Sequence, residues 1–378
     1  MPAPALAAAE RSLPPPIRLA AFTRYGREAA STRQRLLQYV PALREAGIEV
    51  RFEALLDDDY VKGLLQERPI ARTGLVRSYL ARFRAILAAR RADIIWVYAE
   101  LFPYLPGWVE RLAVGSRATI IYDFDDAFFH NYDRNSNPLV RRLLGRKLEP
   151  LMRRAAACTC GNEYLRSYAA RFCSRAIILP TVVNTDVYQA RPGSESGRPV
   201  VIGWIGSPST WPYLEPVLPI LSDLIDERDV KVRIIGAGAA AARKAPPGFE
   251  FADWSEEREV ADVQSMDIGI MPLPDEVWAR GKSGYKLIQY LACAVPAVAS
   301  PVGVNSQIVE HGRTGFLAET AEEWRTFLIR LITDPGLRAR LGAAGRERAE
   351  RDYSLKSQAP RLVSLVQSVA EVQSSATQ

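Results

Sequence analysis

The sequence predicts an α/β chain built from two doubly wound units. Short β-rich runs alternate with longer helix-like stretches, the pattern of βαβ units on a parallel sheet. The alternation then restarts after a segment of linker composition at residues 189–199. The length of 378 residues agrees with two domains at roughly 150 residues each. With 48% hydrophobic and 24% charged residues the chain can bury two ordinary cores.

Taken in order, residues 1–16 are rich in Ala and Pro and read as a disordered tail. They have neither the basic start nor the unbroken apolar run of a signal peptide. The first unit, 17–188, holds the expected strands Ile17–Phe22, Val50–Ala54, Ile94–Tyr98, Thr119–Tyr122 and Ile177–Leu179, with helices expected over Ser31–Ala46 and Ser78–Arg91. The linker reads Gln-Ala-Arg-Pro-Gly-Ser-Glu-Ser-Gly-Arg-Pro. The second unit, 200–355, holds Val200–Ile205, Lys231–Ile235, Ile268–Met271 and Pro296–Ala299. A C-terminal helix follows over 356–378, with a return to the first unit as one option and a polar, fraying tail after Ser368. No segment reaches ~18 consecutive apolar residues, so no span is expected and the chain reads as cytoplasmic.

The net charge is +6, and it is uneven. Residues 1–190 carry 28 basic against 19 acidic side chains, while residues 191–378 carry 21 against 24. A basic half suits an anionic partner such as phosphate or an anionic membrane surface. A nucleic-acid role would rest on charge alone, because no basic patch interleaved with aromatics appears. Four cysteines and two histidines form no spaced set, which argues against a Cys/His zinc site. So few cysteines in a chain of this length fit a reducing compartment.

In open α/β sheets ligands bind at the carboxyl ends of strands, so functional residues are sought there. The most informative stretch is Arg280-Gly281-Lys282-Ser283-Gly284-Tyr285-Lys286-Leu287-Ile288-Gln289. Ser283 reads as the N-cap of a helix running to about Cys293. The free N–H groups of that helix start, with Arg280, Lys282 and Lys286 around it, suit a diphosphate. Gln289, one turn beyond Lys286, offers a donor and an acceptor for ribose hydroxyls. The bland reading is a surface helix with a solvated basic start.

The segment from Lys286 to Leu317, including Gln-Tyr-Leu-Ala-Cys-Ala-Val-Pro-Ala-Val-Ala-Ser and Glu310-His-Gly-Arg-Thr-Gly-Phe-Leu, resembles the C-terminal signature of GT-B glycosyltransferases, in particular the retaining family 4. Ile202-Gly-Trp-Ile-Gly206-Ser and Ile234-Ile-Gly236-Ala-Gly238 are similar to that family's first two strand ends in the donor domain. Leu179-Pro-Thr-Val-Val-Asn-Thr-Asp186-Val-Tyr188 is similar to its interdomain crossover. The resemblance covers nearly the whole chain, specifically in its C-terminal part and loosely in its N-terminal part. It implies the GT-B architecture, two Rossmann-like domains facing across a cleft. It also implies transfer of a sugar from a nucleotide-diphosphate sugar to a glycan or lipid-linked acceptor, with retention, in assembly of a bacterial surface glycan.

The expected donor-binding set is Gly206, Ser207, Gly236, Trp254, Arg280, Lys282, Ser283, Gly284, Tyr285, Lys286 and Gln289. Two departures stand out. The family's two glutamates, seven residues apart, fall here at Gly281 and Gln289. The basic pair that the family often places after the first turn is replaced by Ser207, Pro208, Ser209 and Thr210. Arg280, Lys282 and Lys286 are expected to supply the phosphate charge instead.

In the first half, Arg24, Tyr25, Arg33 and Arg35 cluster after the first strand, and Glu100 ends another; these are the acceptor-side candidates together with Asp123. Asp123-Phe-Asp125-Asp126 follows Thr119–Tyr122. Asp125 and Asp126 occupy the place where the resembling family carries a His-Asp pair, with Asp125 as the candidate proton acceptor and Lys286 the third catalytic candidate. Asp123-x-Asp125 also matches a metal motif of the other glycosyltransferase architecture, so a divalent cation stays open, although no cofactor is required. Arg141–Ala156 places Leu144, Leu148, Leu151 and Ala155 on one face. It reads either as a packed stripe, the favoured case, or as a contact with an anionic membrane at the inner face of the plasma membrane. Two rival functions remain: a nucleotide-sugar epimerase of the same fold, and a non-catalytic sugar-nucleotide or glycan-binding subunit.

Overall fold

The computed structural model describes residues 15–65, 72–116, 118–191 and 197–377. Residues 1–14 of the expected N-terminal tail and the middle of the expected linker lie outside them.

The first unit contains β1 (Ile17–Tyr25), β2 (Ile48–Leu56), β3 (Ile94–Tyr98), β4 (Thr119–Phe124), β5 (Ala157–Cys160) and β6 (Ala176–Ile178). They form one parallel sheet in the order β2-β1-β3-β4-β5-β6. Central β3 is apolar throughout and fully buried, as a parallel strand covered on both faces must be. One face packs Phe22, Val97, Tyr122 and Leu151 under the crossover helices. The other packs Leu19, Trp96 and Ile121 under Leu43 and the C-terminal helix.

The second unit repeats the plan with β7 (Val200–Ile205), β8 (Val230–Ile235), β9 (Phe249–Ala252), β10 (Ile268–Met271), β11 (Ala297–Ala299) and β12 (Gly315–Leu317). Its parallel order is β12-β11-β10-β7-β8-β9. The direction of winding reverses between β1 and β3 in one sheet and between β7 and β10 in the other. Crevices at strand ends open at such switch points.

Several local expectations need correction. The helix expected over Ser31–Ala46 is broken into Ala30–Arg35, a 3-10 turn at Leu37–Tyr39, and Val40–Glu45. Pro41 has no N–H to donate, so it sits in the first turn of the last piece, where none is needed. The next helix covers Arg72–Ala89 rather than Ser78–Arg91. Arg141–Ala156 is not one helix but lies across two short ones, Pro138–Leu144 and Glu149–Met152. Leu144, Leu148 and Leu151 are buried. Strands β5, β9 and β12, of three or four residues, were not expected at all. The helix Leu355–Thr377 continues past Ser368, with Val369 buried.

The two units are tied by the chain itself. Val183 pairs with Ser354 in an isolated parallel bridge, so the first crossing and the return crossing run side by side. Arg346 donates to the carbonyls of Thr185, Tyr188 and Ala292, and Arg191 and Arg198 both pair with buried Asp267. Among the described residues no helix is long and apolar enough to cross a membrane.

Candidate functional site

A cavity of about 420 Å³ opens between the two units at the β7/β10 switch point. That volume falls in the range of small-molecule sites. Its floor is the end of β7, Ile205-Gly206, beside Met271 of β10. Gly236, at the end of β8, closes one side with φ of +77°. A Cβ there would stand 2.4 Å from the Gly206 carbonyl oxygen, so the two turns can touch only with glycine at this position.

Ser207, Pro208 and Thr210 line the next wall, and the Ser207 N–H donates to Thr210 Oγ1 at 3.1 Å. Opposite them is the start of the helix Tyr285–Ala292. Gly284, not Ser283, is its N-cap; it is left-handed, and no side chain caps the helix. The first N–H groups are therefore free of a side-chain cap where Ser283, Gly284, Tyr285 and Lys286 face the cavity. The opposite face of this helix buries Leu287, Ile288 and Leu291 in the second core, which fixes its direction.

Two lysines face the same space. Lys286 Nζ lies 5.1 Å from the centre of the Trp204 ring. Burial and the neighbouring Lys282 bring its pKa down to about 7. Lys282 crosses the cleft to Asp126, at 3.2 Å. Burial raises Asp126 to about 6 despite the pull of Lys282. Burial also disfavours the Lys282 ammonium, but the pairing with Asp126 outweighs it and its pKa rises. Asn162 holds the Lys282 carbonyl at 2.9 Å, anchoring this loop to the first unit.

Gln289 is buried at the back of the cavity. It donates to Glu259 at 2.5 Å and to the Tyr188 hydroxyl at 3.0 Å. Glu259 lines the cavity, and burial raises its pKa. Sequence reasoning missed Glu259, which lies in a short acidic stretch without motif character; the signal for it is spatial. Trp254 completes the wall above Gly236. Arg33 of the first unit stacks on it at 5.3 Å and approaches Glu256 at 3.6 Å.

Other expected site residues are placed elsewhere. Arg280 turns outward to exposed Asp275 at 2.7 Å and is not a cavity residue. Arg35 is buried against Asp123 and donates to the Leu179 carbonyl at 2.7 Å, so it is a core tie rather than an acceptor contact. Asp123 also accepts from Thr159 at 2.6 Å. Asp125 is buried too, accepting from Tyr98 at 2.6 Å and Thr181 at 3.3 Å. The Asp-x-Asp pair is therefore engaged by the protein's own donors and does not fit a metal site. Among the described residues no group of three His, Cys, Asp or Glu side chains could hold a metal ion. Of the aspartates 123, 125 and 126, Asp126 faces the cavity. Glu100 is buried with Lys147 at 3.1 Å and Tyr132 at 2.6 Å, and approaches Arg24 at 3.7 Å. Tyr25 stacks on Tyr60 beside Arg24 at the β1 end.

Residues 199–334 match the sequence family described as Glycosyl transferases group 1. Over 146 residues the chain is 29% identical to a D-inositol 3-phosphate glycosyltransferase of Pseudarthrobacter chlorophenolicus, a match that takes in 37% of this chain and 32% of the relative. It thus spans about a third of the length of that curated relative. A glycosyltransferase structure from Rickettsia africae superposes with a TM-score of 0.69 at 13% identity, covering 94% of this chain and 98% of that one. The Anabaena protein HepE, in complex with UDP and glucose, superposes with a TM-score of 0.67 at 14% identity, covering 93% and 100%. At such identities these likenesses establish the GT-B fold.

Proposed function

We propose that this chain, which carries a group 1 glycosyltransferase domain at residues 199–334 on a GT-B fold, transfers a sugar from a nucleotide-diphosphate sugar to a glycan or lipid-linked acceptor. The observation that carries the reading is the cavity at the β7/β10 switch point, where a helix start and two lysines converge. The UDP and glucose bound by the structurally similar HepE support the same donor class.

On this reading the diphosphate lies between the Ser207–Thr210 turn and the N-terminus of Tyr285–Ala292. Lys286 and Lys282 balance its charge. The Glu259–Gln289 pair takes the ribose hydroxyls, and Trp254 offers a ring face to the base. Asp126, on the opposite wall, faces the transferred sugar. The acceptor hydroxyl attacks C1 from the face the diphosphate leaves, the C1–O bond to phosphate breaks, and a departing phosphate oxygen takes the acceptor proton. The configuration is retained, and the protein acts by positioning and by stabilising the charge of the leaving group. Assembly of a bacterial surface glycan, from the cytoplasmic side of the membrane, is the role that fits such an acceptor.

Calorimetry with UDP, GDP, ADP and TDP, with and without Mg²⁺, tests this without knowledge of the acceptor. One diphosphate is expected to bind, and Lys286→Ala to weaken it by about tenfold or more. If none binds, the donor-site reading fails; if Lys286→Ala leaves affinity unchanged, the phosphates lie elsewhere. Binding without any donor turnover or hydrolysis would favour a non-catalytic subunit.

A further inference from the structure

The first unit contributes more than Asp126 to the wall of the cavity. Glu28 and Ala30 line it together with Trp254 and Glu259 of the second unit. Arg33, on the helix Ala30–Arg35 that starts there, crosses to the second unit at the same point. Its guanidinium lies 5.3 Å from the centre of the Trp254 ring, just beyond the end of β9.

That guanidinium is held but not satisfied. Nη1 donates to the carbonyls of Arg27 and Glu28 at 3.0 and 2.9 Å, which fixes the plane of the group. Nε meets Glu256 only at 3.6 Å, too long for a hydrogen bond. Arg27 draws on the same carboxylate at 3.9 Å. Nη2 is buried without a partner, on a side chain that is 11% exposed. Buried donors are normally paired, because water cannot reach them to compensate. Among the described residues, Arg24, Arg82, Arg338 and Arg348 also keep a buried nitrogen of this kind. Of all these arginines, Arg33 is the one that stacks on a ring lining the cavity.

Its charge also reaches Glu259. Burial raises that carboxyl, and Gln289 and then Arg33 pull it back. With Glu259 and Gln289 at the ribose and Trp254 at the base, Arg33 stands at the base end of the cavity. Donor chemistry then decides which bases fit. A guanidinium offers N–H donors and no acceptor. Uracil, thymine and guanine present ring carbonyl oxygens to it. Adenine has none, and its amino group sets donor against donor.

On the reading of the cavity as the donor site, we propose that Arg33, supplied by the first unit, donates to a carbonyl oxygen of the donor's base. The donor is then a uracil, thymine or guanine nucleoside diphosphate sugar rather than an adenine one, and its base is a contact shared by the two units.

Calorimetry with UDP, TDP, GDP and ADP tests this on the native, Arg33→Ala and Arg33→Gln chains, with circular dichroism to check that each folds. The native chain is expected to bind at least one of UDP, TDP and GDP about tenfold or more tighter than ADP. Arg33→Ala should weaken that diphosphate about tenfold while ADP changes less than about twofold. Arg33→Gln is the sharper variant, because a carboxamide can donate to a carbonyl and also accept from the adenine amino group. It is expected to hold ADP more tightly than Arg33→Ala does, a gain that mere loosening of residues 27–33 would not produce. Native affinity for ADP equal to or above that for the other three overturns the proposal. So does an equal loss of all four diphosphates in both variants, or no loss in either. If the native chain binds none of the four, the donor site itself fails, and the role of Arg33 with it.

Discussion

Lys286 is charged in water at neutral pH, but burial and Lys282 place its pKa at about 7. Asp126 sits at about 6, raised by burial. As pH rises through this range, Asp126 gains negative charge and Lys286 loses positive charge. Both changes oppose an anionic ligand. The dissociation constant of the bound diphosphate is therefore expected to rise about tenfold or more between about pH 6 and about pH 9, read by calorimetry. Lys286→Arg stays charged across that range and should keep only the shallow dependence that comes from Asp126. A constant affinity across the range in the native chain would remove Lys286 from the phosphate site. The aspartates show why residue roles are hard to read along the chain. Residues 123, 125 and 126 are near neighbours in sequence, yet two of them are spent on Arg35, Tyr98, Thr159 and Thr181.

Among elements, the loop between β10 and the helix Tyr285–Ala292 does the most to shape the cavity. At Gly281 a Cβ would fall 2.5 Å from the Ala127 Cβ and 2.9 Å from its nitrogen. No side chain fits while the two units meet as they do. The position that matches a glutamate in the resembling family is therefore a contact point between the domains. Gly281→Glu is expected to part this contact, pull Lys282 from Asp126 and weaken nucleotide binding about tenfold or more, with the fold retained by circular dichroism. Gly281→Ala should do the same to a smaller degree. Wild-type affinity in both variants would mean that the wall yields freely and that this contact does not set the site.

For the whole molecule, the return of the C-terminal helix is the decisive link. Tyr353 closes the helix Pro335–Asp352 of the second unit, and Leu355–Thr377 then crosses to the first. Leu362, Leu365, Val366 and Val369 cover Leu19, Trp96 and Ile121 of the first sheet. The first unit thus lacks a complete core without the last residues of the chain. Leu362→Ala should cost about 2–5 kcal/mol of stability, measured by denaturant unfolding. A loss below about 0.5 kcal/mol would mean that the helix is a loose strap.

The alternation of apolar runs with helical stretches was enough for the two parallel sheets, because a strand buried on both faces announces itself as a continuous apolar run: Ile94–Tyr98, Val200–Ile205 and Ile268–Met271 appear with the ends read from sequence. The basic helix start at residues 282–286 was legible for a similar reason, since glycine, a helix pattern and lysine are all local. Short edge strands such as Gly315–Leu317 were not, because three residues carry no period. Nor was it legible that Arg280 turns to Asp275, that Glu259 meets Gln289, or that Asp126 faces Lys282. The first two pairs are set by how the loops and helices of the second unit fold over its own sheet, and the third by how the two sheets are brought face to face. Which charge is paired, and which is left facing the cavity, depends on contacts between residues as much as 156 positions apart.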